Sequence, residues 1–110
     1  MNPVRPLVML LIISFFLFEL RSRAEAQHAG DPGAGAAYAE RYCKKCHAIG
    51  RTDISSEATA PAFRDVATTP GMTATALTVW LRTSHPTMPN IIIDPDDMDN
   101  VVSYILSLKQ

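Results

Sequence analysis

The segment Cys43-Lys44-Lys45-Cys46-His47 decides how this chain of 110 residues is interpreted. Its two cysteines are the only ones in the sequence, they stand three positions apart, and a histidine directly follows the second. The pattern Cys-x-x-Cys-His is the attachment signature of a c-type haem. Two thiols at the end of a helix can each add to one vinyl group of a porphyrin, and the histidine can then bind the iron. We therefore predict one haem c per chain, covalent through Cys43 and Cys46, with His47 as an axial iron ligand.

Three other uses of paired cysteines explain this segment less well. A thioredoxin-like redox pair requires a βαβ context, and the surrounding sequence has no convincing strand. A structural zinc site requires four ligands, usually in two pairs, and His28 and His85 are too far apart in the sequence to form the second pair. A structural disulfide is compatible with export but leaves the adjacent histidine unexplained.

The N-terminal residues have the features of an export signal. Arg5 supplies a positive start, residues 7–18 form a nearly continuous apolar run, and Ala24-Glu25-Ala26 offers a cleavage site of small residues. The run is shorter than the ~20 residues that a spanning helix needs, so we expect no stable membrane insertion after signal removal. We predict a cleavable signal peptide at residues 1–26, one domain at residues 27–110, and a location in the periplasm.

The charge of residues 27–110 argues against a nucleic acid partner. This part of the chain has seven Lys and Arg residues against nine Asp and Glu residues, a net charge of −2 with histidines neutral. It contains no basic stripe that would release counterions from a phosphate backbone. A domain of this length buries little apolar surface, and an enclosed haem would enlarge its core.

The first part of the domain is predicted to be helical. Asp31 is expected to cap a helix that starts at Pro32 and ends at the cysteines. The i, i+3, i+4 spacing gives this helix one mainly apolar face, which consists of Ala34, Ala37, Tyr38, Arg41 and Tyr42. A short helical turn is expected over residues 62–67, and Thr73 is expected to cap a third helix that runs through Arg82.

The C-terminal part contains a stiff segment and the clearest helix. Residues 85–89, His-Pro-Thr-Met-Pro, should be extended, because each proline fixes its own φ and biases the preceding residue away from helix. Asp94 is expected to cap a last helix that starts at Pro95 and reaches the C-terminus. Its apolar face consists of Met98, Val101, Val102, Ile105 and Leu108. The domain is therefore predicted to be all-α.

From about Gly35 to the C-terminus, these residues resemble the class I monohaem cytochromes c of the small bacterial periplasmic type. The resemblance implies three to four helices wrapped around one covalently bound haem, with the N- and C-terminal helices crossing. Gly35 matches the small residue at that crossing and Tyr104 matches the aromatic residue that packs there. Glycine within a helix costs about 1 kcal/mol relative to alanine, so Gly35 needs such a packing reason.

The resemblance also implies a methionine as the second axial ligand. Met88 lies in the proline-flanked segment that matches the distal ligand loop, and a thioether opposite a histidine raises the reduction potential. We expect Met98 to be a core residue, and Met72 has no comparable support. The predicted metal ligands are thus His47 and Met88. His85 remains an alternative to Met88, because imidazole is the stronger iron ligand and lies in the same loop.

Other haem contacts follow from the resemblance. Pro61 matches the proline whose carbonyl accepts a hydrogen bond from Nδ1 of His47 and so orients the ring. The residues expected to bind the cofactor by lining its pocket are Phe63, Leu77, Trp80 and Leu81.

Basic side chains near the predicted haem have two interpretations each. Lys44 and Lys45 lie beside the expected haem edge and either steer a partner or solvate the helix end. A haem propionate can pair with Arg51, Arg64 or Arg82, or these side chains can remain in solvent.

These features predict a soluble periplasmic electron carrier with no catalytic residues, which is an electron-transfer protein and not an enzyme. We expect a monomer whose partners are redox donor and acceptor proteins, bound transiently through small contacts. Two alternatives to this carrier remain. One is a small haem subunit of a dehydrogenase or oxidase complex, and the other is an enzyme or sensor with an open iron coordination site.

Overall fold

The computed structural model describes residues 8–10, 12–15 and 30–109. Residues 8–10 and 12–15 are helical, and residues 30–109 contain four α-helices. These helices are α1 (Pro32–Tyr42), α2 (Phe63–Thr68), α3 (Ala74–Arg82) and α4 (Pro95–Ser107). The described residues contain no strand, and the all-α prediction is confirmed. Within these ranges, no helix has the length and apolarity needed to cross a membrane. The predicted cleavage site at residues 24–26 lies outside the described residues.

Two helices begin with the side-chain caps that the sequence predicts. The carboxylate of Asp31 accepts a hydrogen bond from the backbone N–H of Gly33 at 2.8 Å. The hydroxyl of Thr73 accepts one from the N–H of Ala76 at 3.1 Å. Each bond satisfies a donor that has no partner inside the helix, which fixes the start of α1 and of α3.

The start of α4 differs from the prediction in one respect. Asp94 stands at the N-cap position, but its side chain makes no capping hydrogen bond. Pro95 occupies the first turn together with the carboxylates of Asp96 and Asp97. Proline fixes φ at a helical value, and the two negative charges complement the positive end of the helix dipole, so these residues define the start.

Helices α1 and α4 cross in direct backbone contact at Gly35. A Cβ atom on this residue would overlap the backbone carbonyl of Asn100 and would stand 2.8 Å from Cβ of Tyr104. Beside the crossing, the N–H of Asp31 donates to Oδ1 of Asn100 at 2.7 Å. The predicted crossing of Gly35 with the aromatic residue Tyr104 is therefore confirmed.

The mainly apolar face predicted for α1 is not the face that packs against the rest of the protein. Its five residues are exposed except for Tyr38, which is partly buried. The buried residues of this segment are instead Gly35, Ala39 and Cys43. They stand four positions apart and so form one row along the helix. The close approach of α4 leaves room for small side chains only, and this excludes the larger residues that the apolar spacing favoured.

The core is formed by α4 and by the shorter helices that pack on it. All five residues predicted for the apolar face of α4 are buried, and Met98, Val101 and Ile105 have exposures of 2%, 1% and 1%. Phe63 of α2 and Leu77 of α3 join them in the same cluster. This core lies directly beside the end of α1, where the two cysteines are located.

The crossing of α1 and α4 generates a first prediction. Gly35→Ala should lower the free energy of unfolding of the haem-loaded protein by at least about 2 kcal/mol, because the added methyl group meets rigid backbone that cannot move away. Chemical unfolding followed by far-UV circular dichroism measures the change.

Gly33→Ala is the matched control in the same helix. A Cβ there meets only the side chain of Asp31, whose Oδ1 would be 3.2 Å away, and alanine is the better helix former. This variant should be as stable as the wild type or slightly more stable. Equal stability of Gly35→Ala and Gly33→Ala would contradict the crossing as described.

Candidate haem-binding site

The cysteine segment continues the last turn of α1. The N–H of Cys43 donates to the carbonyl of Ala39 at 2.9 Å, as in a regular helix. The carbonyl of Cys43 then accepts from the N–H of Cys46 at 3.1 Å and from that of His47 at 3.0 Å. These turns place two side chains that are three residues apart on the same side of the helix end. No disulfide joins the two cysteines.

The two thiols have different surroundings. Cys43 is buried in the core, with 9% of its surface exposed, whereas Cys46 is partly exposed. Burial raises the pKa of the Cys43 thiol to about 11. A group in such apolar surroundings is uncharged at neutral pH, which suits a neutral thioether better than a reactive thiolate.

The imidazole of His47 is held at one nitrogen and leaves the other available. Its Nδ1 lies 2.8 Å from the carbonyl oxygen of Pro61. A carbonyl can only accept a hydrogen bond, so Nδ1 carries the proton and Nε2 is the basic nitrogen. The ring also packs against Phe63, with centroids 5.4 Å apart and planes inclined at 44°. A histidine oriented in this way at Nδ1 is typical of a metal ligand, and the residues present fit a haem iron.

The position of Pro61 depends on a loop that returns to His47. The N–H of Phe63 donates to the carbonyl of Ala48 at 2.9 Å, and the N–H of Ala48 donates to Oγ of Ser55, also at 2.9 Å. Both hydrogen bonds hold Ala48, the residue next to His47. The bond to Phe63 also keeps Pro61, two residues earlier, beside the ring of His47. Sequence reasoning missed Ala48 and Ser55, because neither residue type indicates such a role on its own.

Two of the arginines considered as propionate partners stabilise this loop instead. The guanidinium of Arg64 donates to the carbonyl oxygens of Arg51 and Asp53 at 3.1 and 2.7 Å. The guanidinium of Arg51 donates to the carbonyl oxygen of Ser107 at 3.0 Å and so connects the loop to the end of α4. Arg82 is exposed in the last turn of α3.

Tyr104 connects α4 to the same loop. Its hydroxyl donates to the carbonyl of the buried residue Ile49 at 2.9 Å. Burial raises the pKa of Tyr104, and the nearby carboxylates of Asp53 and Glu40 raise it further, against an opposing effect of Arg51. The phenol therefore remains protonated at neutral pH and available as a donor.

The residues predicted to line the haem pocket occupy two environments. Phe63 and Leu77 are buried in the core, and Leu81 is partly buried against it. Trp80 is half exposed, with 55% of its surface accessible, and its ring meets that of His85 edge-on at a centroid distance of 5.0 Å. Both rings line an open surface groove of about 320 Å³. The structure thus separates Trp80 from the other three.

The three methionines of the domain differ in location. Met98 is fully enclosed in the core, as predicted, which commits its side chain to packing. Met72 is partly buried and packs against the core. Met88 is partly buried and lies in the loop between α3 and α4, where its N–H donates to the carbonyl of His85 at 3.3 Å.

Comparison with known proteins identifies the family. A cytochrome c-552 of Bradyrhizobium diazoefficiens is 31% identical to this chain over 88 residues, which is 80% of this chain and 85% of that protein. The chain belongs to the class I monohaem cytochrome c family. No family model and no solved structure matches it.

Membership of this family establishes the cofactor and the general role. As a cytochrome c, the protein binds haem c covalently, and Cys43 and Cys46 have the required spacing for its two thioether bonds. It is a haem-based electron carrier. The described residues contain no group of three or more His, Cys, Asp or Glu side chains placed to hold a separate metal ion.

The bond between Tyr104 and Ile49 generates a second prediction. Tyr104→Phe in this cytochrome c should lower the free energy of unfolding by about 1 kcal/mol at neutral pH, because the Ile49 carbonyl loses its donor. The difference from wild type should shrink as the pH rises above about 10, where the phenol ionises in the unfolded chain, and should be lost once the pH passes the raised pKa of the folded Tyr104.

Tyr42→Phe is the control, because Tyr42 has 49% of its surface exposed. It should unfold at the same denaturant concentration as wild type at neutral pH. A Tyr104→Phe protein as stable as this control would mean that the hydrogen bond contributes nothing.

Proposed function

We propose that this cytochrome c is a soluble, monomeric carrier in the periplasm whose single haem has His47 and Met88 as axial ligands. The observation that carries the proposal is the hydrogen bond between Nδ1 of His47 and the carbonyl of Pro61. It holds the imidazole in the tautomer that an iron ligand needs, at the end of a Cys-x-x-Cys turn. We also propose that residues 1–26 are removed on export and that residues 27–110 form the mature domain.

The role of the chain in electron transfer is to keep the cofactor surroundings constant. The haem supplies the one-electron iron couple. Cys43 and Cys46 prevent its loss, and His47 cannot rotate because Pro61 and Phe63 hold its ring. Fixed axial ligands limit the rearrangement that accompanies each change of iron charge, which suits a carrier that is reduced and oxidised repeatedly.

The location of Met88 supports it as the sixth ligand. Pro86 and Pro89 restrict the backbone on both sides of the loop, and the side chain is partly buried. A thioether forms only a weak bond to iron. A loop that is already restricted loses little conformational entropy when the bond forms, and this favours the bond. With a histidine on the other side, this ligand raises the reduction potential.

His85 supports a second candidate function, an enzyme or sensor with an open site. Its Nδ1 is buried and has no hydrogen-bond partner in the described part of the chain. A buried polar atom without a partner calls for an explanation, and proton transfer to a substrate bound at the iron would provide one. In that case the iron would lack a bond to Met88, and His85 would be the residue that acts on the substrate.

Lys44 contributes less to partner docking than its position suggests. Its ammonium group forms an ion pair with Glu40, one turn earlier on α1, and the hydrogen bond between them raises the pKa of Lys44. Part of its charge is therefore balanced within the protein. Lys45 is exposed, so any steering near the haem edge depends more on this residue. We expect partners to be redox proteins that bind briefly.

The axial ligands generate a third prediction. Ferric wild type should show the weak far-red absorption band that sulfur-to-iron coordination produces. Met88→Ala should lose this band and have a lower reduction potential, because the thioether is gone. His85→Asn should keep the band, and Met72→Leu, which removes another thioether of the domain, is the matched control and should keep it as well.

Carbon monoxide distinguishes the two candidate functions in the same proteins. With Met88 bound, ferrous wild type should bind the gas far more weakly and slowly than Met88→Ala. Rapid, tight binding by the wild type would contradict the proposed ligation and favour the open site. A far-red band that persists in Met88→Ala would also contradict it, because another thioether would then be bound to the iron.

The location generates a fourth prediction. Osmotic shock of expressing cells should release the coloured protein in the periplasmic fraction, and size-exclusion chromatography should show a monomer. N-terminal sequencing should begin within a few residues of Gln27, because the small residues at positions 24 and 26 suit the cleaving enzyme. Colour that stays with the membranes, or that elutes with a larger complex, would instead indicate a complex subunit.

A further inference from the structure

The loop that carries Met88 contains a turn with an unusual residue. His85, Pro86, Thr87 and Met88 form a four-residue turn closed by the hydrogen bond from the N–H of Met88 to the carbonyl of His85 at 3.3 Å. Thr87, the third residue, has φ of 79°. Proline at the second position and a positive φ at the third are the pattern of a type II turn, which favours glycine or asparagine at the third position. Among the described residues, no other non-glycine residue has a positive φ.

The chain contains a second turn of the same pattern, which serves as an internal reference. Pro70 and Gly71 are followed by Met72, whose N–H donates to the carbonyl of Thr69 at 3.0 Å. Gly71 has φ of 78°, within a degree of Thr87. The two turns thus share the closing hydrogen bond, the positive φ at the third residue and the following methionine. They differ at the position that needs a positive φ, where one has glycine and the other has a β-branched residue.

This difference has an energetic consequence for the loop. For residues with a Cβ atom, the left-handed conformation is disfavoured by a factor of about 5 to 30 in an equilibrium constant, whereas glycine adopts it freely. A β-branched side chain is among the least suited to it. A rotation of the peptide group between Pro86 and Thr87 would convert the turn to type I, in which the third residue has a negative φ.

We propose that Thr87 is a positioning residue that makes the bond between Met88 and the haem iron easier to break. This inference rests on the ligation proposed above. In this proposal, a Met88 bound to iron keeps the turn in the conformation that the structure shows, and a displaced Met88 leaves the loop free to adopt one in which Thr87 has a negative φ. The bond between Met88 and iron is therefore weaker than it would be with Gly or Asn at position 87. The difference is the free energy that the positive φ of Thr87 costs. A small external ligand consequently displaces Met88 more readily.

Imidazole titration of the ferric holoprotein tests the proposal. Imidazole forms a nitrogen–iron bond as the sulfur–iron bond breaks, the iron stays ferric, and loss of the far-red band reports the exchange. Thr87→Asn should bind imidazole about 5 to 30 times more weakly than wild type, because asparagine tolerates a positive φ. Thr87→Gly should shift in the same direction by a smaller factor, since glycine also gives the displaced loop more freedom.

Thr87→Val is the matched control for the hydroxyl group. Valine has the same branched shape and the same difficulty with a positive φ, so its imidazole affinity should stay within about twofold of wild type. The unfolding midpoint supplies a second readout. Thr87→Asn should raise it in imidazole-free protein and leave it unchanged at saturating imidazole, where the turn is already relaxed.

The possible outcomes separate this inference from the proposed function. If wild type lacks the far-red band, the ligation by Met88 is wrong and this inference is overturned with it. If the band is present but Thr87→Asn and Thr87→Gly bind imidazole as wild type does, only this inference is overturned. A shift in Thr87→Val as large as that in Thr87→Asn would also overturn it, because the hydroxyl group and not the backbone would then be responsible.

Discussion

The backbone contact between α1 and α4 at Gly35 is the constraint on which the rest of the structure depends. Because the helices approach so closely, the row of α1 that faces α4 admits only small side chains, and Cys43 ends that row inside the core. The same approach brings Tyr104 near the loop after the haem-binding segment, where its hydroxyl reaches the carbonyl of Ile49. The crossing therefore fixes both the end of α1 and the loop that follows it.

His47 is held through a succession of contacts that begins at this crossing. Tyr104 and Arg51 attach the loop to α4, and the backbone of Ala48 meets that of Phe63 at the start of α2. The carbonyl of Pro61 is thereby placed beside the ring of His47. Around Met88, the structure has the hydrogen bond from the N–H of Met88 to the carbonyl of His85. The chain thus combines a rigidly oriented His47 with a proposed second ligand, Met88, in a turn that its own sequence disfavours.

Local signals in the sequence predicted the helices and the cysteine site well. Caps such as Asp31 and Thr73 act within three residues, so their effect can be deduced from the sequence. The packed face of α1 was mispredicted, because apolar spacing favours large residues such as Tyr42 whereas a close crossing selects the smallest ones. The roles of Arg51 and Arg64 were missed for another reason: they donate to backbone carbonyl oxygens, which carry no sequence signature. The close approach at Gly35 was predicted only through resemblance to a known family.

The central claim is that two thioether bonds and His47 hold the haem. Acid–acetone extraction followed by the pyridine haemochrome spectrum of the purified protein tests it most directly. We expect all colour to remain with the polypeptide and the absorption band to have the position of a haem with both vinyl groups saturated. Colour that moves into the acetone phase, or a band at the position of an intact vinyl group, would contradict the account.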